Sequence, residues 1–180
     1  MKRAVLVNGV PASGKSTVAR AISANFGWPL LGLDTIKEPF FEHVGAGDRE
    51  HNRKLGRASY AAIFNLIAGF PQGSTTVVDA WFGFQPPEVL TGHLRRAGVS
   101  RTVEIWCRSE PTQIAERYGA RVRKRAVGHP GLEYLPELLA LARSARPLGL
   151  FPLLEIDTNA PLDENGIVDW LIEHIGADKP

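Results

Sequence analysis

Apolar residues recur along the chain in two rhythms. Short β-rich runs occur as AVLV at 4–7, LLGL at 30–33, TTVV at 75–78, TVEIW at 102–106 and LLEI at 153–156. Each is too short for a stable helix and predicts a strand. Longer segments between them repeat apolar residues every three or four positions and predict helices over 15–26, about 48–70, 86–97, 111–125, 134–145 and about 163–175. In the long segment Leu55, Ala58, Ala62, Ile63, Leu66 and Ile67 make one stripe; in the last, Ile167, Val168, Leu171, Ile172 and Ile175 repeat the device. Strand and helix alternate, which is the pattern of an α/β protein with βα units around a parallel sheet. Ligands of such sheets bind beyond the carboxyl ends of the strands, so the residue after each strand is where chemistry is expected.

Composition narrows the picture. With 180 residues, 44% apolar and 22% charged, the chain suits one domain over 1–180 that buries roughly 70% of its unfolded surface. It shows neither linker nor disordered tail, and the Pro/Gly clusters at 84–87 and 128–131 read as loops. One cysteine, Cys107, excludes an internal disulfide or a cysteine-rich zinc site. The five histidines lack metal-ligand spacing, and only His129, in a loop, merits attention. No apolar run has membrane-spanning length or leads into a cleavage site, so no membrane is expected and a cytoplasmic protein is. The net charge of +2 counts against a nucleic-acid track, yet ERYGARVRKR at 116–125 concentrates base locally and suits a polyphosphate.

GVPASGKS at 9–16 fits G-x-x-x-x-G-K-[ST], directly after a strand and opening a helix. Glycines let successive N–H groups turn toward phosphate oxygens, and the helix start adds its positive dipole end. Gly9, Pro11, Ala12, Ser13, Gly14, Lys15, Ser16 and Thr17 are therefore the expected triphosphate cradle, with Lys15 on the outer phosphates and Ser16 on Mg²⁺. Asp34, after the second strand, either caps the next helix or accepts the proton of an attacking hydroxyl. Lys37, one turn on, either holds a substrate group or is solvated. Asp79 closes the third strand as a metal ligand, a substrate ligand or a strand-end cap. Trp81, Phe82 and Phe84 follow as core or as the wall of an acceptor pocket.

On a helix over 111–125, Arg117, Arg121 and Arg125 share one face, and a bound triphosphate would relieve their repulsion. AVGHPG beyond it supplies flexible punctuation, so residues 117–131 are expected to form a closing lid, with Arg117 and Arg121 neutralising the transferring phosphoryl.

The set GVPASGKST, LDTIKE, VVDAW, EIWCRSEPTQIAERYGAR and LLEIDTNAP resembles the small P-loop kinases across nearly the whole chain. It is most similar to chloramphenicol phosphotransferase-like and zeta-toxin-like kinases, and more distantly to gluconate and shikimate kinases. The resemblance implies a three-layer α/β/α fold with a five-stranded parallel sheet in the order 2-3-1-4-5. It also implies ATP with Mg²⁺ as donor and a small-molecule hydroxyl acceptor such as an antibiotic, sugar or nucleotide sugar. It makes Asp34 the catalytic base, Arg117 and Arg121 lid arginines, and residues 158–160, Asn159 among them, the adenine loop. Lys37 stands where many relatives have arginine, and 39–57 shows no acceptor signature; Arg49 and Arg53, with Lys37, Trp81 and Phe82, are the substrate candidates. A nucleotide hydrolase, a nucleic-acid hydroxyl kinase and a nucleotide-dependent switch remain the alternative functions.

Overall fold

The structure, a computed structural model, describes residues 1–176, so the last four positions of the expected domain lie outside the described residues. Five strands form the sheet: β1 (Lys2–Asn8), β2 (Leu30–Gly32), β3 (Thr75–Asp79), β4 (Val99–Arg108) and β5 (Leu153–Asp157). All pairings are parallel, in the order β2-β3-β1-β4-β5. Seven helices connect and flank them: α1 (Lys15–Phe26), α2 (Leu33–His43), α3 (Arg49–Gly69), α4 (Pro87–Arg96), α5 (Pro111–Val122), α6 (Leu135–Ser144) and α7 (Glu164–Ile175). This is the three-layer P-loop NTPase fold that the resemblance implies.

The period of two in the central strands builds the layers. Ala4, Leu6 and Val78 face one core, filled by Tyr60, Ile63, Phe64 and Ile67 of α3 and by Leu90 and Leu94 of α4. Val5, Val7 and Val77 face the other, filled by α1 and α7 through Val18, Ile22, Ile167, Leu171 and Ile175. A third cluster joins the phosphate-loop residues Val10 and Ala12 to Ile114 and Tyr118 of α5 and Leu138 of α6.

One expectation needs correction, and one helix is added to those predicted. The stripe of α3 is rotated: Tyr60 and Phe64 are buried, whereas Leu66 is 46% exposed and Ala58 lies outside. Large aromatics fill the space against the sheet better than alanine does, so packing chose among two apolar faces. Helix α2 was the least evident element, because Pro39 in its interior removes a backbone donor and reads as a breaker. No helix among the described residues is long and apolar enough to cross a membrane.

Candidate active site

The carboxyl ends of β1, β2 and β3 converge on one cavity of about 2180 Å³. Single small-molecule pockets run roughly 300–1,000 Å³, so this one has room for two ligands. Its walls include Pro11, Ala12 and Gly14–Val18 of the phosphate loop, Asp34 and Lys37 of α2, Asp79 and Trp81 after β3, and Arg117 and Arg121 of α5.

The phosphate loop is shaped by backbone that a side chain would obstruct. Gly14 has φ +85°, and a Cβ there would lie 2.9 Å from the Thr158 Cβ; Gly9 has φ +151° and a Cβ there would lie 2.5 Å from the Cys107 carbonyl oxygen. Ala12 also adopts positive φ, +65°, a conformation a non-glycine residue holds only when its surroundings over-determine it. Its methyl is buried against α5 and α6.

Beneath the loop sits a polar network that the sequence reading passed over. Asn8 Oδ1 accepts from the N–H of Gly9 at 2.8 Å and from that of Phe82 at 3.1 Å, while Asn8 Nδ2 donates to Glu104 Oε1 at 2.7 Å. The Leu148 N–H donates to both Glu104 oxygens, at 3.0 and 3.1 Å. Burial raises the Glu104 pKa, and the bonds from Asn8, Leu148 and Gly149 offset part of that rise. One side chain thus ties the start of the phosphate loop to the start of the loop after β3. A glutamate in the middle of the apolar run TVEIW was the available signal, since charged residues are buried only with partners.

Thr158 closes the other flank. Its Oγ1 donates to the Ser13 carbonyl at 2.8 Å, and Arg117 donates to Thr158 Oγ1 at 3.0 Å, Thr158 O at 2.8 Å and Ser109 Oγ at 3.2 Å. Asn159, the expected adenine contact, does not line the cavity: its amide donates to Asp157 Oδ1 and accepts from Ser109 Oγ. The residues of this loop that reach the cavity are Thr158 and Ala160.

The cavity contains open polar positions suited to a divalent cation and a polyphosphate. Asp79, which lines the cavity, has its Oδ1 buried without a partner among the described residues, and a buried carboxylate oxygen left so calls for a cation or water. Lys15 makes one weak contact, 3.4 Å to Val10 O, and Ser16 lines the cavity in the first turn of α1, where backbone N–H groups lack intrahelical partners. These residues fit magnesium and a nucleotide triphosphate.

Asp34 lies in the first turn of α2, but the N-cap position belongs to Gly32, so capping does not explain the carboxylate. It pairs instead with Arg125, at 2.7 Å. Burial works to raise the Asp34 pKa, and Arg125, His129, Lys15 and Lys37 together outweigh it, holding the carboxyl below its ordinary 3.8. The charge of Lys15 therefore reaches Asp34: the phosphate loop and this carboxylate act on the same space.

The basic ladder is not a ladder. Helix α5 ends at Val122, three residues short of the expected end, and the chain turns so that Arg125 reaches Asp34. With Arg117 on Thr158, the three charges separate and their repulsion is relieved without a ligand. Further side chains hold residues 123–131 against α2 and α3. His129 Nε2 lies 2.9 Å from Glu38 Oε1, and Asn52 Nδ2 donates to Gly128 O. The Tyr118 hydroxyl donates to Pro130 O at 2.7 Å. Asp34, Glu38 and His129 approach one another as metal ligands would, but Arg125 and the Glu38–His129 bond account for that proximity.

Of the expected acceptor residues, Lys37, Arg49, Arg53 and Trp81 line the cavity. Phe82 does not: it is 1% exposed and packs with Tyr60 in the core. In the short turn that follows β3, Phe84 rather than Phe82 reaches the cavity.

The family profile described as an AAA domain matches residues 5–131. Among solved structures, a protein from Chloroflexus aurantiacus J-10-fl provisionally named a kinase has a TM-score of 0.80 and 28% identity, over 96% of this chain and 98% of that one. A sugar kinase from Janibacter sp. HTCC2649 has a TM-score of 0.58 and 18% identity over 98% and 95% of the two chains. A shikimate kinase from Bacteroides thetaiotaomicron has 0.59 and 17% over 97% and 98%. At those identities the last two share the fold alone. No curated protein matches the chain in sequence.

Proposed function

The chain belongs to the AAA domain family, and from that premise we propose that it is an ATP-dependent kinase of the chloramphenicol phosphotransferase-like or zeta-toxin-like kind. In this reading the γ-phosphate of ATP passes to a hydroxyl of a small molecule such as an antibiotic, a sugar or a nucleotide sugar. The observation that carries it is one shared cavity, large enough for two ligands, with the phosphate loop at one end and Asp34 close enough to Lys15 to feel its charge. The kinase names among the similar structures support it.

The chemistry follows from the residues. Lys15 and the backbone N–H groups of Ala12, Gly14, Lys15 and Ser16 bind the triphosphate. Ser16 and Asp79 would hold magnesium, which supplies neutralisation of the donor phosphates when bound. The Asp34 carboxylate takes the proton of the acceptor hydroxyl as its oxygen forms a bond to the γ-phosphorus. The bond from that phosphorus to the bridging oxygen breaks, leaving ADP. Arg117 and Arg121 neutralise charge on the transferring group, and residues 117–131 act as the lid of a single domain that keeps water out. Asp34 is then free to act only when Arg125 has left it, so closing and reacting require an exchange of partners.

Asp34→Asn tests the assignment. Removing a general base should lower kcat by a factor of about 10²–10⁴, with ATP affinity within a few-fold of wild type in an equilibrium titration. Full transfer by the variant, measured as phosphorylated product, removes Asp34 from the role. ADP release independent of every acceptor would favour the hydrolase reading instead.

A further inference from the structure

We propose that the acceptor carries a negatively charged group, a carboxylate or a phosphate, bound between Lys37 of α2 and Arg53 of α3. This rests on the kinase reading for the word acceptor, but the anion site rests on its own observations. Lys37 is 9% exposed and lines the cavity, yet makes no hydrogen bond or ion pair among the described residues. Its ammonium lies 5.2 Å from the centre of the Phe41 ring. The acids near it are engaged elsewhere, Asp34 with Arg125 and Glu38 with His129. Burial accordingly lowers the Lys37 pKa, and the nearby Asp34 and Glu38 only partly restore it. An ammonium that faces a cavity from a largely buried stem, partly desolvated and without an anion, is costly; a ligand anion removes that cost.

Helix α3 contributes from the facing side. Arg49, Arg53 and Arg57 recur at four-residue steps and all line the cavity. Arg49 is paired with Glu137. Arg53 and Arg57 have no acidic partner among the described residues, whereas on the same helix Lys54, pointing away, pairs with Glu50 at 3.2 Å. Two of the three arginines that α3 turns to the cavity, Arg53 and Arg57, thus join Lys37 in being unmatched, while the lysine outside the cavity is matched. A neutral polyol would leave all three uncompensated. A hydroxy acid or a phosphorylated alcohol would neutralise them and lie against Asp34, one helical turn from Lys37.

Two measurements test this. In the first, a non-hydrolysable ATP analogue with Mg²⁺ saturates the phosphate loop, and malonate or inorganic phosphate is titrated while Tm is followed. Wild type should show saturable stabilisation, lost in Lys37→Met and in Arg53→Met and kept in Lys54→Met. Stabilisation by one anion and not the other identifies which group the acceptor bears. No stabilisation of wild type, or equal stabilisation of Lys37→Met, overturns the site. In the second, matched acceptors are compared for phosphorylated product: hydroxy acids against their methyl esters, and sugar phosphates against the free sugars. The charged members should be preferred, and Lys37→Met should raise their KM on the order of 10- to 100-fold, the range for a bond to a charged group. Its kcat should stay within a few-fold of wild type, and so should its KM for ATP. Transfer to the neutral members as efficient as to the charged ones overturns the proposal and leaves the kinase standing. Anion stabilisation without transfer to any acceptor keeps the site and overturns the kinase.

Discussion

The two ends of the cavity hold their carboxylates in opposite states. At the phosphate loop the framework is closed and the candidate metal ligand is open: Asn8 and Glu104 complete buried bonds and Thr158 half-buried ones, while Asp79 Oδ1 is unpartnered among the described residues. At the α2–α3 end the acids are paired, Asp34 with Arg125, Glu38 with His129 and Glu137 with Arg49, while Lys37, Arg53 and Arg57 have no acidic partner among the described residues. The first is a preorganised site, whose groups need not reorient when charge arrives. At the second, the paired acids must give up internal partners before they can act, so binding there competes with contacts already made. A triphosphate is the same in every reaction, and a rigid framework suits it; an acceptor end made of side-chain pairs can be re-formed around one particular molecule.

The contrast is broken most severely at Asn8. Asn8→Ala leaves the N–H groups of Gly9 and Phe82 and an oxygen of Glu104 buried without that partner, at a cost of about 1–3 kcal/mol for each group that finds no substitute. The expected outcome is a urea midpoint far below that of wild type and weakened ATP binding in whatever remains folded. A variant as stable as wild type, with unchanged ATP affinity, would mean that the framework is not what holds the phosphate loop.

Gly14→Ala sharpens the same end with a smaller effect. The new Cβ would press on Thr158 at 2.9 Å, and φ +85° is strained for alanine, together about 1–3 kcal/mol. Because Thr158 also receives Arg117, the displacement should lower nucleotide affinity more than fold stability. Comparing calorimetric ATP binding with the thermal midpoint separates the two.

What the sequence makes legible follows the same division. The phosphate loop, the strands and the end of β3 are local features: a run of apolar residues or a fixed spacing specifies each, and sheet order follows from the resemblance. The acceptor end depends on pairs far apart in the chain, Arg125 with Asp34 and His129 with Glu38, each separated by 91 residues. Periodicity extends α5 to Arg125, but helix propagation lost there to the ion pair and to the docking of Gly128 against α3. Phe82 and Phe84 are equivalent as letters, and only the turn of the chain sends one into the core and the other to the cavity. The Asn8–Glu104 bond lies between these cases, since a glutamate among buried strand residues announces a partner without naming it.

The smallest effect, and the one that isolates the closed state, belongs to Arg125→Ala. The Asp34 side chain is 47% exposed, so solvent screens the pair and its loss should destabilise the fold by less than about 1 kcal/mol, far below Asn8→Ala. The sign of the pH dependence is fixed by the depressed Asp34 pKa. Such a group stabilises the fold above its ordinary 3.8, and that contribution is lost as pH falls through the lower folded value. The stability difference between wild type and variant should therefore be present at pH 6 and vanish in strong acid. In activity the shift is more visible. As the proposed base Asp34 would work deprotonated, and among its neighbours Arg125 does most to keep it so. Without Arg125, burial opposes fewer cations and the carboxyl titrates at higher pH. The acid limb of kcat/KM against pH should move upward, costing activity on the acid side while leaving the neutral plateau in place. An acid limb that does not move would mean either that Arg125 leaves Asp34 before the titrating complex forms or that Asp34 is not the base. The Asp34→Asn variant decides between these, because it abolishes the limb only if Asp34 is the group that titrates.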